Sequence, residues 1–207
     1  MRPSYGLMAG ISIRSFLFLV RVFFRVFNRI EIKGRERIPL TGPLIIVANH
    51  ISNADPPALM SHVVPVRPAA IMAKKEVFAL PLLRRLFLSW KGIPVDRSRE
   101  GGDMSALRGG IDVLKNGGCL VLFPEGTRAK DGPLKPKLGV AMLAHKTGAP
   151  VLPARIFNAE NFSKLGKITI KFGNLRSFDP AAEGDRKEAY AEFSQAIMSD
   201  IFAITEE

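Results

Sequence analysis

Short apolar runs recur along the chain, and segments with helical periodicity lie between them. The brevity and nearly continuous apolar character of the runs are typical of strands buried on both faces of a sheet. They cover 44–49, 69–74, 92–96, 119–123, 151–156 and 167–172, after a short strand and turn at 31–34. The segments that predict helices cover 56–64, 76–90, 103–115, 137–147 and 185–204. This alternation predicts an α/β sandwich, in which helices flank a mixed and mostly buried sheet.

Length and composition suit one globular unit. The chain has 207 residues, of which 47% are hydrophobic and 24% charged. It is long enough to bury a core without covalent crosslinks. Its single cysteine, Cys119, cannot form an internal disulfide. Because Cys119 lies in an apolar run, we predict a small buried core residue rather than a reactive thiol.

The segment 11–30 predicts an amphipathic helix. Three arginines, Asn28 and Arg29 fall within an arc of roughly 100°, and most of the remaining circumference is Phe, Leu, Val and Ile. A bilayer-spanning arrangement would place Arg21 and Arg25 near the bilayer centre, at a cost of roughly 2.5–3.5 kcal/mol each. A helix lying in the membrane interface avoids that cost, so we predict an interfacial anchor. The predicted membrane contacts are Arg14, Arg21, Arg25, Phe16, Phe23 and Phe24. A helix packed on the domain, a spanning segment and a secretory signal are the alternatives.

The net charge of +11 predicts an anionic partner, either nucleic acid or an acidic membrane. Residues 1–37 carry eight basic residues against two glutamates, a net +6, and this stretch is also the most apolar. Charge on an apolar helix favours a membrane, and no zinc, RRM or helix-turn-helix pattern supports nucleic acid. We therefore divide the chain into a membrane-anchoring helix, 1–30, and a globular domain, 31–207.

His50 follows an apolar strand, and Asp55 begins a helix five residues later. Ligand sites of α/β sheets gather at the carboxyl ends of strands. A loop that joins the two residues would let Asp55 accept the proton of one ring nitrogen, leaving the other nitrogen as a base. A capping aspartate beside an ordinary histidine is the alternative. His62 and His145 stand in no metal-ligand spacing with His50.

The stretch 123–128, FPEGTR, also follows an apolar run. The Arg128 guanidinium is a planar fork that matches phosphate oxygens, and Thr127 and backbone N–H groups add donors. A surface turn with a solvated arginine is the alternative. The stretch 92–97, GIPVDR, likewise ends in a charged pair that includes Arg97.

Taken together, NHISNADP (49–56), GIPVDR, FPEGTR and APVLPAR (149–155) resemble the 1-acyl-sn-glycerol-3-phosphate O-acyltransferase, or lysophosphatidic acid acyltransferase, family of the glycerolipid acyltransferases. The resemblance runs from about residue 34 to 158. It implies that His50 is a general base oriented by Asp55, the family's HX4D motif. It also implies that the phosphorylated acceptor contacts Arg97, Glu125, Gly126, Thr127, Arg128, Lys75 and Lys137.

The resemblance further implies the reaction and the partners. A fatty acyl group would pass from acyl-CoA or acyl carrier protein to the sn-2 hydroxyl of 1-acylglycerol 3-phosphate, giving phosphatidic acid, without a metal ion or resident cofactor. The enzyme would bind an anionic membrane surface peripherally. Because the sequence shows no convincing export signal, we expect the cytoplasmic face of that membrane. Glycerol 3-phosphate and lyso-ornithine lipid remain alternative acceptors. A non-catalytic protein that binds anionic lipid is the alternative of another class.

Two features depart from the family pattern. Pro136-Lys137-Leu138 stands where the family often has Phe-Lys before the glycine that matches Gly139. We expect this change to alter the acyl or acceptor pocket. One amphipathic helix is evident where some members have two or more apolar helices, which predicts lighter membrane attachment.

Overall fold

The fold is a seven-stranded sheet with helices on both faces. It was analysed in a computed structural model that describes residues 7–80, 83–84, 87–88, 90–98, 102–129, 132, 134–179 and 185–206. The strands are β1 (Glu31–Lys33), β2 (Leu44–Ala48), β3 (Ala69–Lys74), β4 (Ile93–Val95), β5 (Cys119–Leu122), β6 (Val151–Phe157) and β7 (Thr169–Phe172). Their order across the sheet is β1-β7-β6-β2-β5-β3-β4. Neighbours are parallel except β6 and β7, so β1 and β7 run against the other five.

Both faces of the central strands are buried, which explains their continuous apolar sequence. Along β2, Leu44 and Ile46 pack into one core, whereas Ile45 and Val47 pack into the other. The two cores alternate because side chains of a strand point to opposite faces with period 2. Cys119 is buried in the first core, and burial raises the pKa of its thiol to about 12. The predicted sandwich and the buried Cys119 are therefore confirmed.

The helices are α1 (Leu7–Phe27), α2 (Asp55–Val63), α3 (Met104–Lys115), α4 (Gly139–Thr147) and α5 (Arg186–Ala203). The first two cover one face of the sheet and the last three cover the other. Carboxylates cap two of them: Asp103 accepts from the backbone N–H groups of Ser105 and Ala106, and Asp185 accepts from that of Lys187. The predicted helix 76–90 is wrong at its start, where Lys75–Ala79 forms a 3₁₀ turn. Its Pro81 lies outside the described residues.

Helix α1 packs on α2 rather than projecting from the domain. Leu17 and Phe24 are buried against the first core, and the Asn28 side chain donates to the carbonyls of Phe162 and Gly166. One prediction is thereby corrected: Phe24, at 2% exposure, is a core residue and not a membrane contact. Asn28, which shares the arc of the arginines, is also buried. Both residues face the domain, whereas the predicted contacts Phe16 and Phe23 are exposed.

The opposite face of α1 is apolar and exposed. Its large side chains are Phe16, Phe18, Leu19, Val22, Phe23, Val26 and Phe27. Arg25 is exposed beside this face and Arg21 is half-buried, while the side chain of Arg14 lies outside the described part of the chain. Among the described residues, no helix combines the length and the apolar character that crossing a bilayer requires.

A buried arginine ties the amino ends of the strands together. The Arg67 guanidinium donates to the carbonyl oxygens of Pro39, Thr41, Gly42 and Gly117, at 2.6–3.3 Å. These carbonyls belong to the loops that precede β2 and β5, so Arg67 fixes where both strands begin. No acidic side chain pairs with it within the described residues, so the carbonyl dipoles compensate its charge.

Candidate active site

The carboxyl ends of five parallel strands meet at one edge of the sheet, and the predicted site residues lie there. His50 follows β2, Glu125 to Arg128 follow β5, Lys75 follows β3, and Arg97 follows β4. Adjacent strands lie about 4.8 Å apart, so β4 is about 14 Å from β2 across β5 and β3. The predicted site residues therefore spread along the edge over β5, β3 and β4, with His50 at one end of the row.

His50 and Asp55 form the predicted pair. Nδ1 of His50 and Oδ2 of Asp55 are 2.8 Å apart, and the carboxylate is completely buried. The same oxygen accepts hydrogen bonds from the backbone N–H groups of Ile51 and Ser52, each at 2.7 Å. These two donors leave the oxygen unprotonated, so Nδ1 must carry the proton in the neutral ring. The basic lone pair is then on Nε2, which has no partner among the described residues.

Asp55 does not cap α2, so the alternative of a capping aspartate beside an ordinary histidine is wrong. Ala54 occupies the cap position, and Asp55 is the first helical residue. Its carboxylate points back along the loop toward His50 instead of satisfying the first turn of the helix. Pro56 and Pro57 follow directly and lack backbone N–H groups, so this turn has fewer donors to satisfy. The carboxylate is consequently free to organise the loop.

Asn49 positions His50, and sequence reasoning missed it. Its side-chain amide accepts from the backbone N–H of Ile156 at 2.7 Å and donates to the carbonyl of Ile156 at 2.9 Å. This pair of bonds continues the β2–β6 ladder for one more residue through a side chain. The His50 ring also lies against the Phe123 ring, with centroids 4.5 Å apart. A polar residue between a buried strand and a histidine was the available signal for such a role.

The FPEGTR turn is joined to the histidine loop by backbone bonds. Ala129 donates to the carbonyl of His50 at 2.8 Å, and Lys137 donates to that of Pro124 at 2.8 Å. Gly126 has φ +72°, a conformation that favours glycine, and a side chain there would meet Lys137. Thr127 and Arg128 are exposed on this turn, as a phosphate contact requires.

Glu125 differs from its neighbours because it is buried, with only 2% of its surface exposed. Its Oε2 accepts weakly from the backbone N–H of His50, at 3.4 Å, whereas Oε1 is buried without a hydrogen-bond partner in the described structure. Burial, opposed by the hydrogen bond from the His50 N–H and reinforced by the nearby carboxylate of Asp55, raises the pKa of Glu125 to about 7. A carboxyl group in this position is protonated over part of the physiological pH range.

Lys75 is held by an ion pair. Its Nζ lies 2.7 Å from Oδ2 of Asp96, and Asp96 also accepts from the backbone N–H and hydroxyl of Ser98. The bonds from Lys75 and Ser98 hold the pKa of Asp96 below its usual range. Lys137 and Arg97 are exposed. Asp96 thus joins the ends of β3 and β4, a role that sequence reasoning did not assign.

Other histidines and clusters lie apart from this edge. His62 is buried, with Nδ1 near the carbonyl of Ala58, and His145 bonds to the Tyr190 hydroxyl between α4 and α5. No group of three His, Cys, Asp or Glu side chains in the described ranges has a geometry that could hold a metal ion. A groove of about 790 Å³ lies between β7 and the end of α5, and none of the predicted catalytic or acceptor-binding residues lines it.

Comparison with known proteins gives three findings. The sequence profile described as Acyltransferase matches residues 29–157. A chloroplastic 1-acyl-sn-glycerol-3-phosphate acyltransferase of Brassica napus is 30% identical over 153 residues, which cover 72% of this chain and 44% of that protein. The protein of that name from Bacillus subtilis is 26% identical over 186 residues, covering 88% of this chain and 91% of the relative.

A solved structure matches the fold over nearly the whole chain. The crystal structure of the 1-acyl-sn-glycerophosphate acyltransferase PlsC from Thermotoga maritima superposes with a TM-score of 0.69 and 27% identity, over 95% of this chain and 80% of that one. The chain spans about half the length of several curated relatives that it matches, with 44%, 53% and 42% for three of them.

Proposed function

The chain belongs to the acyltransferase family, and from this premise we propose that it transfers a fatty acyl group from a thioester to the sn-2 hydroxyl of 1-acylglycerol 3-phosphate. The observation that carries the proposal is the 2.8 Å hydrogen bond between His50 and the buried carboxylate of Asp55. It fixes the ring so that Nε2 is the basic nitrogen. The acceptor hydroxyl is itself the nucleophile, so no serine or cysteine is needed.

The reaction proceeds in one ternary complex. His50 Nε2 takes the proton from the sn-2 hydroxyl as its oxygen attacks the thioester carbon, and the carbonyl electron pair moves onto oxygen. The resulting imidazolium is stabilised by the Asp55 carboxylate. When the tetrahedral intermediate collapses, the carbon–sulfur bond breaks, and the imidazolium returns its proton to the thiolate. Phosphatidic acid and a free thiol are the products.

The acceptor phosphate is held by cations along the same edge. Four bonds separate the sn-2 oxygen from phosphorus, which places the phosphate on the order of 5 Å from the reacting hydroxyl. Arg128 follows β5, the strand next to β2, and is therefore best placed to reach it. Thr127 supplements that contact from the same turn, and Lys137 does so from the segment before α4, whose backbone N–H bonds to the carbonyl of Pro124. Arg97 and Lys75 lie on the next strands, and Asp96 fixes the Lys75 ammonium there.

The acyl donor is a thioester of coenzyme A or of acyl carrier protein. Both carry the same activated acyl group on the same thiol arm, so the chemistry at His50 is identical for both. The thioester supplies the activation, and the reaction as written needs no resident cofactor or metal ion. Pro136 and Leu138, which flank Lys137, lie next to the acceptor turn and are candidates for setting acyl preference.

The protein works at a membrane surface through the exposed face of α1, on the cytoplasmic side. Phe18 and Leu19 are 62% and 64% exposed, and Arg25 lies beside them for contact with lipid phosphates. Flotation with vesicles of mixed anionic and neutral lipid measures the binding of the protein to the membrane surface. Replacement of Phe18 and Leu19 by serine is expected to release the protein into the aqueous fraction, whereas Leu175→Ser, at an exposed leucine remote from α1, leaves it on the vesicles. Equal flotation of both variants would refute the assignment.

A thiol-release assay tests the activity. The purified protein is supplied with palmitoyl-CoA or palmitoyl-acyl carrier protein and with lysophosphatidate, glycerol 3-phosphate or lyso-ornithine lipid. We expect release with lysophosphatidate and none after His50→Ala. His145→Ala is the matched control, because His145 is also half-buried and hydrogen-bonded but lies between α4 and α5. A His50→Ala protein that folds normally and keeps most of its turnover would show that His50 is not the base. Release without an acceptor, or binding without release, would point to a hydrolase or to a lipid-binding protein.

A further inference from the structure

The turn after β6 carries an exposed leucine in an unusual backbone conformation. Ala159–Lys164 forms a 3₁₀ turn that ends at Leu165, whose φ is +53°. The left-handed residue that ends a helical turn is ordinarily glycine, and sometimes asparagine, because other β-carbons crowd the backbone there. Leu165 is also 49% exposed, so about half of its surface is in contact with solvent. A bulky apolar residue held in this conformation points to a function that glycine could not perform.

Hydrogen bonds and ring contacts join this turn to the exposed face of α1. The Asn28 side chain donates to the carbonyls of Phe162 and Gly166, at 3.1 and 3.2 Å, on either side of Leu165 in the sequence. Phe23, which is 38% exposed on α1, lies against the Phe162 ring, with centroids 5.8 Å apart. The apolar face of α1 therefore continues into the turn, and Leu165 adds an exposed apolar side chain near the end of the helix.

Basic residues surround the exposed leucine. Lys164 and Lys167 flank it in the sequence, and Arg25 and Arg29 are exposed at the end of α1. One of the four, Lys167, pairs with Glu31 at 2.6 Å. An apolar side chain with basic neighbours is typical of segments that lie in a bilayer interface, where apolar groups enter the acyl region and cations meet lipid phosphates.

The turn also borders the surroundings of His50. Asn158 and Glu160, at its start, line a cavity of about 530 Å³ that Asn49 and Glu125 line as well. His50 directly follows Asn49. The turn therefore reaches from the end of α1 to the surroundings of the reacting histidine. A helix that lies flat in an interface leaves the domain free to roll about the helix axis, and a second contact beside the helix removes that freedom.

We infer that Leu165 inserts into the membrane interface, so that the turn after β6 is a second membrane contact beside α1. The partner is a bilayer that contains anionic lipid, because apolar surface and cations occur together here and continue the surface proposed for α1. Two contacts fix the roll of the domain and hold the edge of the sheet that carries His50 toward the membrane. The inference rests on the membrane surface proposed for α1 and not on the acyl-transfer reaction.

Site-directed fluorescence measures the insertion directly. Cys119, the single cysteine, is buried at 1% exposure, so a nitrobenzoxadiazole group attached to Leu165→Cys reports on that position alone. With vesicles of phosphatidylcholine and phosphatidylglycerol, we expect its emission to shift to the blue and to be quenched by doxyl groups on the lipid acyl chains. The same label on Leu175→Cys, which replaces a leucine of similar exposure, 47%, at the opposite end of β7, should show neither change.

A third label, on Phe18→Cys in the exposed face of α1, separates the inference from the surface on which it rests. If the label at Phe18 responds to vesicles and the label at Leu165 does not, α1 alone contacts the membrane and the inference is wrong. If neither label responds, the inference fails together with the membrane surface proposed for α1. These measurements need no turnover, so their outcome is independent of the acyl-transfer reaction.

Replacement of Leu165 by asparagine separates a membrane contact from a structural role. Asparagine tolerates the left-handed conformation but is polar, and Leu175→Asn is the matched control. We expect Leu165→Asn to weaken vesicle binding by about tenfold, because most of the exposed leucine surface no longer enters the bilayer. Its kcat/KM should fall with lysophosphatidate embedded in vesicles and stay unchanged with a short-chain lysophosphatidate dissolved as a monomer. Equal losses with both acceptors would show that Leu165 acts only through the shape of the turn, and would overturn the inference.

Discussion

Replacement of Asp55 by asparagine isolates the charge of the carboxylate from its geometry. The backbone N–H groups of Ile51 and Ser52 both point at Oδ2, so the asparagine must place its amide oxygen there. That oxygen still accepts from Nδ1 of His50. The ring therefore keeps its tautomer and orientation, and only the negative charge is lost. The variant consequently reports on stabilisation of the imidazolium.

The magnitude follows from the distance. A hydrogen bond of 2.8 Å places the two charge centres about 4 Å apart, which corresponds to about 4 kcal/mol at an effective dielectric constant of 20. This energy is available only when His50 is protonated, in the transition state, so kcat should fall by about 10³ with little change in either KM. The kcat of Asp55→Ala should fall further, toward that of His50→Ala, because the His50 ring is then also free to rotate.

Steady-state thiol release with palmitoyl-CoA and lysophosphatidate measures kcat and both KM values of each variant. Thermal unfolding confirms that Asp55→Asn is folded. The asparagine NH₂ takes the place of Oδ1, which is buried without a partner in the described structure, so some loss of stability is expected. An Asp55→Asn enzyme with more than about a tenth of wild-type kcat would contradict an imidazolium transition state. An enzyme as inactive as His50→Ala would instead indicate that the tautomer had changed.

Three further outcomes are expected. Arg128→Ala should raise the acceptor KM by about tenfold or more and leave the donor KM unchanged, because a charge-assisted hydrogen bond to phosphate is lost. Replacement of the exposed Arg186 on α5 by alanine is the control. An unchanged kcat/KM in Arg128→Ala would exclude Arg128 from the phosphate site. Arg67→Met should lower the free energy of unfolding, measured in urea, by about 3 kcal/mol, because four backbone carbonyls lose the guanidinium that donates to all of them. A change below about 1 kcal/mol would show that water donates to these carbonyls in place of the guanidinium. The pKa of Glu125 is raised to about 7 in the folded protein, so between about pH 4.5 and 7 the folded wild type keeps a proton that the unfolded chain has released. As the pH rises through this range, the wild type should therefore lose stability relative to Glu125→Gln. Parallel Tm profiles of the two proteins would contradict this expectation.

The sheet was predictable because its residues are buried on both faces, which leaves a continuous apolar pattern in the sequence. The His50–Asp55 contact was predictable because their spacing excludes a shared helix face and requires a loop. The hydrogen bonds from the Ile51 and Ser52 N–H groups to the Asp55 carboxylate were not, since an aspartate at the start of a helix ordinarily caps that helix. Here two prolines remove donors from the first turn and the loop N–H groups compete successfully. Arg67 was missed for a related reason: its partners are backbone carbonyls, which leave no mark in the sequence.

Phe24 shows how a helix on a domain divides its surface. The helical wheel of α1 separates arginines from apolar residues, but it does not distinguish an apolar side chain that faces protein from one that faces outward. Contact with Phe162, 5.6 Å between ring centroids, places Phe24 in the core, and the Asn28 amide fixes the end of α1 to the turn after β6. That turn lies at the carboxyl edge of the sheet, beside the end of β2 and His50. The carboxyl end of α1 is therefore fixed at the same edge of the sheet as His50, so the proposed membrane-facing surface and the proposed acceptor site share that edge.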